Sequence, residues 1–505
     1  MATPAANVGL RKRSIGFKES LALSVEAMGP LLGAMAVAPL IAISAGFSAP
    51  FMVLVCGIAM FIVALTIARF ARVLPSAASI YTYVSHGLGE RAGFLSAWLS
   101  FMYYVLFVPQ LLLAFGLFAH SGIDFVFGIS IAWWIYSLLA AAIALTLSLV
   151  GIRISTRIDL GLAIMANLVL FAASLAIFIK VASAGNLSFS SLLPTHAGGG
   201  FTGLSLAVAT GVLIYLGFEQ SFTLGEEVTD PHGNVPKAIF TALISIGLLL
   251  LFATFAMVSA FGLHGMSALA TASSSSAGTP WWAAFSRVGL GSGWRDALSL
   301  VIVISVLGNT IASHNCVVRI QYGMGRANAL PSAFGRTGRR QTPYFAICAQ
   351  IALSVVVTLI MGGAWSATQA FGFLGFTNGL AGAVAFILIL LGAMIFFHKA
   401  EPEKGMVRNL LVPAVGIAIL VPAVYTAFYP APPSPEKWAP YMILGWTVLG
   451  GIYLVLRNRG GHVIDLDYAF RDLGEQVPAG ALATEPHQPS GEDIAAGGML
   501  VTETA

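Results

Sequence analysis

From Thr368 to Phe397 the chain runs thirty residues without an Asp, Glu, Lys or Arg. At about 1.5 Å per helical residue, such a run is long enough to cross the roughly 30 Å hydrocarbon core of a bilayer. Similar apolar runs lie near 20–46, 48–70, 92–118, 130–150, 158–182, 203–226, 237–262, 297–320, 344–362, 409–429 and 438–456. Backbone groups in hydrocarbon find no water, so only helices and closed barrels can span it. The runs are continuous rather than alternating, which predicts helices. Composition agrees: 58% of the residues are hydrophobic and 9% charged, against about 25% charged in a soluble domain. The expected fold is an all-α integral membrane protein with twelve transmembrane helices.

Lys and Arg concentrate in cytoplasmic connections, so their positions give orientation. With the N-terminus inside, 21 of the 25 basic residues fall on inside segments, leaving Lys180, Arg287, Arg295 and Lys437 outside. Both termini are therefore expected in the cytoplasm, in a multi-pass protein of the plasma (inner) membrane. The net charge of +4 reports topology, and no nucleic-acid partner is indicated. Behind Arg11-Lys12-Arg13 the apolar segment from about Leu21 to Ala45 has no small-residue cleavage site, so it reads as a retained first span. Residues 1–19 then form a cytoplasmic N-terminus. The outer connection from Gly262 to Asp296 carries Pro280-Trp-Trp-Ala-Ala-Phe285, which predicts a short helix resting at the interface, where Trp is enriched. From Gly460 onward the chain is polar and holds 8 of the 21 acidic residues, so 457–505 is expected to be a disordered cytoplasmic tail. Cys56, Cys316 and Cys348 show no CxxC or Cys/His spacing; no disulfide framework, metal site or cofactor is indicated.

A carboxylate at mid-bilayer costs at least ~2.5 kcal/mol on insertion scales, so buried acids mark sites or pathways. The acids well inside the spans are Glu26, in Glu26-Ala-Met-Gly-Pro-Leu-Leu-Gly33, and Glu219, in Tyr215-Leu-Gly-Phe-Glu219. They sit in spans 1 and 6, the matching positions of two five-span halves, where inverted-repeat transporters break their helices around substrate. Pro30 lacks an N–H and, with Gly29 and Gly33, favours unwinding of span 1. The plainer alternative is that these small residues serve helix packing. Glu219 reads equally as a substrate contact or as a group bonding exposed backbone at the break. Glu26 reads equally as a site residue or as part of a cytoplasmic vestibule.

Further motifs share this order and topology. After Gly217-Phe-Glu219 come Glu226-Glu227, Pro231 and Pro236-Lys-Ala-Ile239. Span 8 ends in Arg319-Ile-Gln-Tyr-Gly-Met-Gly-Arg326, followed by Ala329-Leu-Pro331 and Thr342-Pro343, and the chain opens with Ile15-Gly-Phe-Lys-Glu-Ser20. Over spans 1 to 10 the sequence resembles the amino acid-polyamine-organocation superfamily of permeases. The resemblance implies a five-plus-five inverted repeat, with helices 1–5 over 20–182 and helices 6–10 over 203–397. Two more helices follow over 409–456, with helices 1 and 6 broken. It implies alternating access and amino acids or related amines as substrates. By position, the substrate carboxylate would meet backbone N–H groups near Met28, Gly29 and Gly33, and its ammonium carbonyls near Tyr215 and Leu216. Tyr215 and Phe218 would close over it. Gln110 would line the same cavity, or form an interhelical bond instead. The chain departs from the family pattern in span 1, where Gly29-Pro-Leu-Leu-Gly33 replaces a Gly-Ser-Gly-like run. It departs again at Leu213, where cation-selective members carry an aromatic gate, and at Asn167, where some proton-coupled members carry Lys.

Uphill transport needs a coupling ion or an exchanged solute. For Na+, carbonyls of the span 1 break and the hydroxyls of Ser305, Thr310 and Ser313 are candidate ligands. For H+, the titratable groups within the spans are Glu26, Glu219 and His314; His titrates near ~6.5 when unperturbed, and a lone His there also reads as a packing residue. The expected activity is secondary active transport of an amino acid or amine, by H+ symport, with Na+ symport or exchange as alternatives. A sensor or channel is the rival from another class. The nine histidines are scattered without a paired acid motif, so no enzyme chemistry is expected.

Overall fold

The computed structural model describes residues 16–74, 79–150, 152–220, 228–275, 278–326, 328–338 and 342–459. Arg11-Lys12-Arg13, Glu226-Glu227 and the expected tail from Gly460 lie outside the described residues.

The first apolar run becomes α1 (Phe17–Met28), α2 (Pro30–Leu32), a π-helical turn (Gly33–Val37) and α3 (Ala38–Ala45). A 3-10 turn over Gly46–Ser48 leads into α4 (Ala49–Val73), followed by α5 (Ser79–Leu88), α6 (Glu90–Phe127), α7 (Trp133–Val150) and α8 (Ile152–Ser183). Then come α9 (Gly200–Leu213), α10 (Pro231–Phe261), α11 (Met266–Ser275), α12 (Thr279–Arg287) and α13 (Ser292–Arg326). The chain closes with α14 (Tyr344–Ala364), α15 (Ala367–Ala400), α16 (Val412–Thr426) and α17 (Ala439–Arg459). Among the described residues, 11 stretches are long and apolar enough to cross a membrane, the first running through the interruptions at Gly29 and Gly46 from Phe17 to Val73.

Packing is inverted relative to a soluble protein. Leu248, Ile360, Val448 and Leu456 are exposed on the outside, whereas Gln110, Glu219, Asn309, Gln350 and Asn378 are buried. Apolar side chains lose nothing by facing lipid, so interhelical hydrogen bonds and close packing hold such a bundle together. The kink in α6 illustrates this. Pro109 has no N–H to offer the Val105 carbonyl; Gln350 of α14 donates to that carbonyl instead at 3.1 Å, and Thr358 donates to the Pro109 carbonyl at 3.2 Å. At the outer surface of α6, Trp98 and Trp446 of α17 stack 4.8 Å apart. Each indole N–H donates to the other's backbone carbonyl, at 2.8 and 2.9 Å.

At the end of the bundle where α4 and α15 finish, Arg69 is enclosed by a polar and aromatic cage. It pairs with Glu401 at 2.8 Å, donates to Asn409 at 2.9 Å and lies 3.9 Å over the Phe397 ring. Burial by itself raises the Glu401 carboxyl, but hydrogen bonds and charge from Lys404 and Arg69 outweigh it and hold the group below the ordinary carboxylate range. Glu401 therefore stabilises the fold fully above the unfolded-chain value near ~4.3. That contribution is lost as the pH falls through the lower folded value. Melting curves in detergent from about pH 7 to about pH 3 should fall more steeply for the wild type than for Glu401→Gln; parallel curves would show that the pair adds no pH-dependent stability.

Two expectations need correction. The sixth run does not stay helical: α9 ends at Leu213, 214–217 form turns and 218–220 a 3-10 turn, so the break starts earlier than Gly217, and 221–226 lie outside the described residues. The short outer helix exists as α12, but Trp281 does not rest at the lipid interface. It is fully buried, with its indole N–H donating to Ala34 of the π-helical turn at 2.9 Å. An indole N–H needs an acceptor when buried, and the turn offers one.

Candidate functional site

Both predicted breaks are present, and they touch. Helix α1 stops because Gly29 takes a left-handed conformation, φ +55°, with its N–H folded back onto the Glu26 carbonyl at 3.0 Å. Pro30 then restarts the helix without a donor of its own. In the second break Gly217 has φ +108°, and a Cβ there would sit 2.5 Å from the Ala27 carbonyl oxygen. The two backbones therefore meet with no side chain between them. Ser24 of α1 reinforces the contact by donating to the Phe218 carbonyl at 3.0 Å.

Glu219 projects from this junction and is only 3% exposed. Its Oε1 accepts from the hydroxyls of Tyr103 and Tyr104 of α6, at 3.0 and 2.9 Å, and its Oε2 accepts from the Gly217 N–H at 3.2 Å. The carboxylate thus ties the second break both to itself and to α6. Tyr103 and Tyr104 were missed in the sequence reading. Two adjacent phenols in an apolar run are a usable signal, since each hydroxyl needs a buried partner.

The other candidates divide by position. Glu26 is buried and its carboxylate lies against Gly308 of α13. Met28 is buried beside the junction, and Gly33 faces Ile214 and Leu250. Phe218 is fully buried, 6.1 Å from the Phe386 ring, and Leu216 packs on Gly382; both neighbours are on α15. Gln110 accepts from Asn378 of α15 at 2.8 Å, which is the interhelical alternative. The expectation that the Tyr215 side chain closes over a ligand is corrected: its hydroxyl donates to Val53 of α4 at 2.8 Å, and its ring lies beside Gly57 and Gly247. On α13, Ser305 is buried, Thr310 donates to Val306 at 2.7 Å, and Ser313 donates to Asn309 at 3.1 Å. His314 is fully buried, and neither ring nitrogen meets a partner among the described residues. Asn167 is half-buried on α8, and its Oδ1 likewise meets none. Among the described residues, no group of three or more His, Cys, Asp or Glu could hold a metal ion.

Beside the π-helical turn, a cleft of about 70 Å³ opens among Met35, Pro39, Phe118, Pro280 and Phe371. A buried carboxylate at two touching helix breaks suits binding and release of a polar solute inside a bilayer. The family model described as amino acid permease matches residues 24–460. The chain belongs to the amino acid permease family. The permease is a transport protein, not an enzyme. It is 25% identical to the L-asparagine permease of Escherichia coli over 60% of each chain. It is 24% identical to the methylthioribose transporter of Bacillus subtilis over 80% of this chain and 85% of the relative. Among solved structures, a mutant manganese transporter of Eremococcus coleocola shares the permease's fold, with a TM-score of 0.51 and 14% identity over 92% of this chain and 99% of that one.

Proposed function

We propose that the permease is a secondary active transporter that moves amino acids or related amines across the plasma membrane by alternating access, coupled to H+ by symport. The observation carrying this reading is the contact between the two helix breaks at Glu219, held by Tyr103, Tyr104 and Gly217. Backbone N–H groups near Met28, Gly29 and Gly33 serve the substrate carboxylate, Pro30 shapes the break between them, and carbonyls near Tyr215, Leu216 and Gly217 serve its ammonium. Phe218 closes over the solute, and Gln110 braces the site through its bond to Asn378. Glu219, Glu26 and His314 are the titratable groups that carry or sense the proton. Asn167 of α8 and Ser305, Thr310 and Ser313 of α13 serve as coupling or gating residues, on two helices that pack against α1.

In this reading both termini are cytoplasmic, and twelve spans form a five-plus-five inverted repeat with two helices appended. The stretch Phe17–Val73 has 57 residues, about 85 Å as a straight helix against a core of roughly 30 Å. Gly46, at φ +61°, and the 3-10 turn Gly46–Ser48 divide it near the middle. Two crossings from that one stretch bring the count to twelve.

The test is uptake of labelled amino acids, diamines and small amines by proteoliposomes holding the purified protein. An inward pH gradient at fixed Na+ should drive accumulation of at least one, and collapsing it should abolish accumulation. Accumulation that follows Na+ instead would replace the proton in this scheme. Flux without counterflow would make the protein a channel, and binding without flux a sensor.

A further inference from the structure

Asn309 stands in the middle of α13 and is 1% exposed. Its Oδ1 accepts from Ser313 at 3.1 Å, one helical turn away. That bond turns the amide so that Nδ2 faces α1, where it fills the place that a Cβ would take at Gly29. Gly29 is the single left-handed residue of the first break. Glycine is needed there twice over, for the conformation and for the space that the amide enters. Yet Nδ2, aimed into this built notch, has no hydrogen-bond acceptor among the described residues. The Gly29 carbonyl accepts from Gly33, and the Glu26 carbonyl from Gly29. A buried amide donor left unmatched is costly.

We propose that Asn309 is a substrate-binding residue whose Nδ2 donates to a carboxylate oxygen of the transported solute, with Ser313 as the residue that orients it. This rests on the reading of the permease as an amino acid or amine transporter and narrows it to solutes that carry a carboxylate. An amino acid also fits the surroundings. Its ammonium group lies on the carbon next to the carboxylate, and the Glu26 side chain lies against Gly308, the neighbour of Asn309. The assignment divides the two solute classes, since amines without a carboxylate gain nothing from the amide.

The test measures binding of L-asparagine, L-serine, L-ornithine, ethanolamine and putrescine to purified full-length protein. The last two are serine and ornithine without their carboxyl groups. Asn309→Asp replaces the donor by an isosteric carboxylate and should weaken the three amino acids by at least about 30-fold, while ethanolamine and putrescine, which are cations without a carboxylate, bind no more weakly than to the wild type. Asn309→Ala removes the donor without adding charge and should weaken the amino acids about tenfold, and Ser313→Ala, which frees the amide to turn, about threefold. Either of these two carries the test if the aspartate variant does not fold. Equal weakening of amino acids and amines, or no weakening of either, would assign Asn309 to packing alone and overturn the proposal. So would wild-type protein that binds the amines and ignores the amino acids. Wild-type protein that binds none of the five overturns the transport reading itself, an outcome visible before any variant is made.

Discussion

Exchanging Glu219 for glutamine is expected to lower the initial uptake rate about 100-fold in proteoliposomes with matched protein incorporation. The carboxylate of Glu219 accepts three hydrogen bonds, two from phenols and one from a backbone N–H. Glutamine offers one acceptor oxygen and one NH2 group. If its oxygen faces the tyrosines, its NH2 meets the Gly217 N–H, which cannot turn away. If the amide is flipped, the two hydroxyls must rotate to accept and lose their own acceptor. Hydrogen bonds to a charged group are worth ~1.5–3 kcal/mol, and ~1.4 kcal/mol is tenfold in a rate or equilibrium. Tyr103→Phe and Tyr104→Phe each remove one of the three bonds and should cost about tenfold. A glutamine variant with unchanged kinetics would take the carboxylate out of the transport cycle and leave it a role in shape alone.

Alanine at Gly217 should damage the fold itself. A Cβ there would sit 2.5 Å from the Ala27 carbonyl oxygen and 2.6 Å from its carbon. Both belong to the backbone of buried α1, so no flexible side chain can give way. The left-handed φ of +108° adds strain of order 1–3 kcal/mol for a residue with a Cβ. The melting temperature in detergent should fall by at least about 5 °C, with less monodisperse protein recovered. Gly451→Ala on α17 is the control, because its Cβ would enter open space. If Gly217→Ala melts like Gly451→Ala, the two breaks do not press together as described.

Much of this arrangement was readable from the chain. Charge-free runs mark where helices can sit in oil, and Gly29-Pro30 and Gly217 mark where they must stop, because those residues change backbone geometry locally. Tertiary choices were not readable. Whether Gln110 faces a cavity or Asn378 depends on how α6 and α15 are rotated against each other. Tyr215 lies within the turn that opens the second break, yet its ring turns toward α4, because the Val53 carbonyl is there to accept its hydroxyl. Tyr103 and Tyr104 are inconspicuous in the sequence because a phenol carries no charge, although in hydrocarbon it needs a partner as well. Asn309 is inconspicuous for the same reason, an uncharged amide among the hydroxyl residues Ser305, Thr310 and Ser313.

The paired indoles of α6 and α17 act as a check on completeness. Each N–H is satisfied by the other helix of the pair, so sliding α17 by one turn would orphan both donors at once. Only one docking register is therefore free of penalty. Trp446 also lies late in the chain, so a polypeptide that stops short of it leaves Trp98 holding an unanswered donor in an oily setting.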